Sequence, residues 1–95
     1  MDPLGFRWDA DKAEANIAKH AIAFEDAVRI FGGLTYDVAS INRGELRIAS
    51  TGDLDGIEIT VVYTDRGGEY RIISARRAGK REREIYRAYC TLLRR

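Results

Sequence analysis

The chain has one cysteine and one histidine in 95 residues, and each scarcity excludes something. A lone Cys90 cannot close an internal disulfide, and its neighbours Tyr89 and Leu92 suggest the buried side of a helix, where a free thiol behaves as a small hydrophobe. One Cys and one His share no metal-ligand spacing, so neither a metal nor another cofactor is expected. No apolar run approaches the roughly 18 residues that span a bilayer. The N-terminal MDPLGFRWDAD carries acids where a secretory signal would place a basic region and then an apolar one, so a cytoplasmic location without membrane attachment is expected. Repeats, low-complexity tracts and linkers are absent, and the length leaves room for one core. A single domain over residues 1–95 is therefore expected, burying roughly 60 to 70 per cent of its unfolded surface.

What is present begins with charge. The hydrophobic fraction of 45% and charged fraction of 33% are ordinary for a folded domain, and the net charge is only +1. That balance hides an asymmetry. Residues 1–70 carry seven Lys or Arg against thirteen Asp or Glu, whereas residues 71–95 carry nine against two, a switch from −6 to +7. A basic C-terminal quarter points to an acidic partner such as nucleic acid, or to a helix with a solvated charged face.

Local patterns supply the elements. FRW at Phe6 to Trp8 has strand character, and Asp9 is an N-cap for a helix over 10–20, with Asp11 adding charge to its first turn. That helix offers only alanines and Ile17 for packing. Phe24, Ala27, Val28 and Phe31 then recur at i, i+3, i+4 and i+7, the face of an amphipathic helix ended by Gly32 and Gly33. Strands follow: a weak one over 34–38, then 45–50 and 57–64, the latter with Ile57, Ile59, Val61 and Tyr63 on one face, and 70–75. GDLDG and DRGGE are the turns between the last three. A closing helix from about Gly79 places Ile85, Ala88, Tyr89 and Leu92 on one side. The expected fold is α+β, with the order β-α-α-β-β-β-α, or with the weak 34–38 strand added to it, two N-terminal helices and a C-terminal helix packed on an antiparallel sheet.

Three stretches, FRWDADKAEANIAKHAIAFEDA, VVYTDRGGEYRIISARRA and KREREIYR, together resemble the BrnT family of type II toxin–antitoxin toxins. The resemblance spans residues 6–87 and rests on the ordered set W-D-x-x-K, N-x-x-K-H, F-E-D-A, R-I-I-S-A-R and E-R-x-x-Y. It implies a RelE-like fold and a ribonuclease that inhibits translation. It also implies a cognate BrnA-like antitoxin that neutralises the toxin, and contact with operator DNA only through the antitoxin complex. Two positions depart from the family pattern. Ala21 stands where glycine is usual, which suggests either different backbone angles at that turn or a different meeting of the two helices, and Ala23 stands where a Ser or Thr cap is common, which removes a side-chain acceptor.

Cleaving RNA without a metal uses the substrate's 2′-hydroxyl as nucleophile, so the protein must supply a proton acceptor, a proton donor and positive charge. The candidate catalytic residues are Lys19, His20, Glu25 and Arg76. His20 suits proton transfer near neutral pH, although a histidine in a last helical turn also caps carbonyls. Lys19 is equally a solubilising residue, and Glu25 is favourable at a helix start for structural reasons alone. Arg76 carries a planar fork suited to phosphate. Arg71, Arg77, Lys80 and Arg81 are the candidates for holding the RNA backbone. Tyr86 is a further candidate, by stacking on a base, unless it belongs to the core. Strict strand alternation would put Arg71 and Arg76 on opposite faces. Glu82 and Glu84 offer ion-pair partners to the basic helix. A non-catalytic nucleic-acid-binding or protein-interaction module is the competing reading.

Overall fold

The computed structural model describes residues 5–94. Its centre is a set of hairpins made by β2 (Tyr36–Asn42), β3 (Glu45–Leu54), β4 (Ile57–Arg66) and β5 (Glu69–Arg77). Each is joined to the next through two residues of positive φ, namely Arg43-Gly44, Asp55-Gly56 and Gly67-Gly68. Such turns match the right-handed twist of the strands they connect, which is why Gly and Asp cluster there. The short β1 (Phe6–Arg7) lies parallel to β5, so the sheet order is β1-β5-β4-β3-β2 and the sheet is mixed rather than wholly antiparallel.

Helix α1 (Ala10–His20) starts at Asp9, whose side chain accepts from the Lys12 N–H as the sequence implies. Its buried residue is Asn16; Ile17 is about half exposed, contrary to the apolar reading of this helix. The next segment is shorter than its periodicity suggests. It forms one α turn, α2 (Phe24–Ala27), which tightens into a 3-10 segment at Val28–Gly32. Ala23 caps α2 with no side-chain hydrogen bond, as expected from its missing acceptor. Ala21 adopts φ 59° and ψ 31°, the left-handed conformation that glycine takes without penalty, so an alanine here occupies a backbone position suited to glycine.

These helical segments cover one face of the sheet. Phe24, Ala27, Val28 and Ile30 pack on Ile59, Val61, Tyr63, Ile72 and Ala75, with Phe6 in the same cluster. The Phe6 ring lies 4.7 Å from Phe31 and 5.5 Å from Tyr63, which fixes β1 against β5. Since β1 is only two residues long, the edge of β5 beyond it would be left unpaired. Asn16 fills the gap: its Nδ2 donates to the Ala75 carbonyl at 2.9 Å, and the Ala75 N–H donates to its Oδ1 at 3.1 Å. The same Nδ2 reaches the Ile22 carbonyl at 2.9 Å, tying down the turn after α1. A side-chain amide thus stands in for a strand's peptide group.

Helix α3 (Lys80–Leu93) crosses the opposite face at one end only. Its buried residues are Tyr86 and Cys90, while Ala88 and Leu92 are exposed, so the helix is rotated from the stripe read in the sequence. Tyr89 meets Tyr36 edge-on at 5.4 Å.

Candidate functional site

The site begins with a bulge. Val62 pairs with Ser74 but Tyr63 pairs with Ile72, so Ile73 is an extra residue in β5. An inserted residue resets the parity of every side chain beyond it. Ile72 and Ala75 both stay in the core, and Arg71, Ser74 and Arg76 come to lie opposite Thr64, Val62 and Thr60 on the other face. The separation of Arg71 from Arg76 expected from strict alternation is therefore corrected: the bulge brings them to the same side.

Arg76 is held by α3. Its Nη1 and Nη2 donate to the Glu82 carboxylate at 2.7 and 2.9 Å, in the bidentate geometry that guanidinium favours. The Gly79 N–H also donates to Glu82 at 2.8 Å, so one carboxylate caps the helix and orients the arginine. The hydrogen bond from Arg76 is the main cause holding the Glu82 carboxyl down at about 2; the Gly79 N–H adds to it, and partial burial opposes it. That same bond pushes the Arg76 pKa upward. Lys80 and Arg81 are exposed on the first turn of α3. Tyr86 is buried, and its hydroxyl donates to the Leu34 carbonyl at 3.4 Å, which places its ring in the packing of α3 rather than on an accessible surface. Burial chiefly drives its hydroxyl pKa up to about 12.

The other candidates sit elsewhere. His20 lines a groove on the helical side with Ala23, Asp26, Leu54, Ile57 and Arg77. Arg77 pairs across from Ile59 and Arg76 from Thr60, so the two adjacent arginines serve opposite faces. Lys19 and Glu25 are exposed on the helical side. Lys19, His20, Glu25 and Arg76 are therefore not gathered into one centre.

Two residues on the arginine face were not singled out in the sequence. Thr64 pairs with both Arg47 and Arg71, which makes a row Arg47–Thr64–Arg71 across β3, β4 and β5. The register of Arg7 opposite Arg71 extends the row onto β1. Only the alternation of Arg47 with Leu46 and Ile48 hinted at its outward position. Glu82 was legible as an ion-pair partner, but its pairing with Arg76 was not. Among the described residues, no three of His, Cys, Asp and Glu gather as metal ligands.

The fold and these side chains define a small α+β protein whose sheet is sealed by helices on one face and presents arginines on the other, where α3 covers only one end. The family model described as "Ribonuclease toxin, BrnT, of type II toxin-antitoxin system" matches residues 8–82, and the chain belongs to that family. Membership implies a ribonuclease toxin of a type II toxin–antitoxin system. A comparison with curated proteins finds no match. Among the described residues, no helix is long and apolar enough to cross a membrane.

Proposed function

We propose that this chain is a metal-independent endoribonuclease that binds RNA over the arginine-bearing face of its sheet, cleaves it in the cytoplasm and so inhibits translation. A cognate BrnA-like antitoxin neutralises it, and contact with operator DNA comes through that complex. We read the fold as RelE-like, a sheet of hairpins flanked by two N-terminal helical segments and closed by a C-terminal helix. The observation that carries the reading is the β5 bulge, because it places Arg71 and Arg76 on one face of a chain whose family consists of ribonuclease toxins.

In this reading the 2′-hydroxyl gives its proton to solvent water and attacks the adjacent phosphorus. The P–O5′ bond breaks to leave a 2′,3′-cyclic phosphate and a 5′-oxygen that takes a proton from water, and Arg76, oriented by Glu82, stabilises the charge that develops on the phosphorane oxygens. Lys80 and Arg81 at the start of α3 hold the flanking backbone. His20, Lys19, Glu25 and Arg77 lie toward the other face, so charge stabilisation and in-line positioning carry much of the rate. Loss of a donor to a developing oxyanion typically costs about 10² to 10³ in kcat. Arg76→Gln is expected to show a loss of that size, and His20→Ala a much smaller one.

The test uses purified protein freed of antitoxin and an RNA substrate in EDTA, with circular dichroism to verify the fold. Cleavage supports the proposal; intact RNA with a folded protein overturns it. The Glu82 clamp on Arg76 and the distance of His20 from that face favour a second reading, RNA binding without cleavage. Salt-sensitive binding by a folded protein that leaves RNA intact would establish it.

A further inference from the structure

We infer that Arg47, Thr64 and Arg71 form a phosphate-binding subsite on the open sheet face, which holds one phosphodiester of a bound RNA. The inference rests on the ribonuclease reading for the identity of its ligand, and on geometry for the site itself. Three side-chain atoms are buried without a hydrogen-bond partner among the described residues: Arg47 Nε, Thr64 Oγ1 and Arg71 Nε. All three belong to the single cross-strand row in which Thr64 stands between the two arginines. Buried polar atoms are nearly always satisfied, because leaving one unpaired costs stability. Two N–H donors and a hydroxyl that make no hydrogen bond match the oxygens of one anion, and the one ionic contact among these atoms, Arg47 Nε to Glu45 at 3.8 Å, is longer than a hydrogen bond.

The surroundings agree. Thr64 is 1% exposed, so its hydroxyl is fixed at the floor of the row. The Arg47 and Arg71 side chains keep 36% and 37% of their exposure, which leaves a ligand room to approach from solvent. Strands two apart are separated by about 10 Å, so guanidinium groups rising on either side of Thr64 can close on one phosphate. Glu69 contacts Arg7 at 3.3 Å and Arg71 at 3.5 Å, and Glu45 contacts Arg66 at 3.1 Å and Arg47 at 3.8 Å. Four cations thus share two carboxylates, which leaves a surplus of two positive charges. The longer contacts go to Arg47 and Arg71, the two arginines that flank Thr64. Arg76 lies further along the same face toward α3, so a phosphate on this row would sit beside the proposed cleavage position rather than in it.

The experiment is a titration of the whole chain with inorganic phosphate, read by NMR of the arginine Nε–Hε signals against chloride at equal ionic strength. Saturable shifts confined to Arg47 and Arg71 are expected, weakened at least fivefold in Thr64→Val. Shifts that match chloride, or that persist unchanged in folded Thr64→Val and Arg47→Gln, overturn the subsite. RNA binding supplies the second arm. Arg47→Gln should weaken RNA affinity and lower the salt slope by about 0.7, the value for one single-strand phosphate contact. Unchanged RNA affinity in both variants overturns RNA as the ligand. Phosphate binding at this row in a protein that cuts no RNA would sink the ribonuclease reading and leave the subsite standing. Cleavage by a wild-type chain with no Hε response would do the reverse.

Discussion

Replacing Asn16 with alanine should be the most damaging single change at the helix–sheet junction, although it removes no apolar packing of any size. The side chain makes three hydrogen bonds, to the Ala75 carbonyl, the Ala75 N–H and the Ile22 carbonyl, at 2.9, 3.1 and 2.9 Å. Asn16 and Ala75 are both buried, so water does not readily replace the lost partners. Each buried backbone group left unsatisfied costs about 1–3 kcal/mol, so two such groups on Ala75 and a part-buried one on Ile22 give a loss of about 3–5 kcal/mol. That is a large share of the roughly 5–15 kcal/mol that holds a domain together. With a urea m-value of about 1–1.5 kcal/mol/M for so small a protein, the midpoint should fall by about 2–5 M. Asn16→Asp separates the two halves of the interaction, because it keeps an acceptor for the Ala75 N–H but presents no donor to the two carbonyls. It should be nearly as damaging at pH 7 and recover in part in acid, where the protonated carboxyl can donate. A loss below about 1 kcal/mol for Asn16→Ala, at unchanged m, would refute the idea that this amide replaces a missing strand.

Three further changes bear on other parts of the molecule. Ala21→Gly relieves a left-handed alanine and should add about 1 kcal/mol, raising Tm by about 4–8 °C in a scan; an unchanged or lower Tm would contradict the strain. Gly52→Ala would set a Cβ 2.9 Å from the Ile30 Cβ, which has no flexible end to swing away, so a destabilisation of about 1–3 kcal/mol is expected in urea. Glu82 has a folded pKa of about 2, below its ordinary 4.5, so its contribution is complete above 4.5 and fades as pH falls toward 2. Glu82→Gln should therefore cost about 1 kcal/mol at pH 7, allowing for solvent screening of a pair about a third exposed, and should flatten the stability curve between those limits. A variant curve parallel to wild type would mean that the Arg76 clamp adds no stability.

Much of the fold was legible in the sequence because its signals are local. The Asp9 cap and the alternation of Ile59, Val61 and Tyr63 act over a few residues and appear as read, and the two glycine and aspartate turns stand where expected but shrink to Asp55-Gly56 and Gly67-Gly68, because the strands around them run further. The helix expected over 24–31 is shorter in the structure. Its periodicity satisfied a helix, but close packing of Phe24 through Ile30 on the sheet tightened its second half into a 3-10 turn. The parallel pairing of β1 was hidden because two residues carry no pattern of their own, and they find β5 only through the Phe6 aromatic cluster.

The candidate site divides along the same line. By itself the sequence determined the class of elements, the family resemblance and the concentration of positive charge after residue 70, since composition and short-range spacing need no partner to be read. Which arginines act together was decided by the tertiary structure. One extra residue at Ile73 turned Arg71 toward Arg76, and the register of three strands aligned Arg47, Thr64 and Arg71, while alternation past the bulge sent Arg77 to the side of His20. Side-chain facing in a sheet depends on the count of paired residues, and pairing exists only once the strands have met.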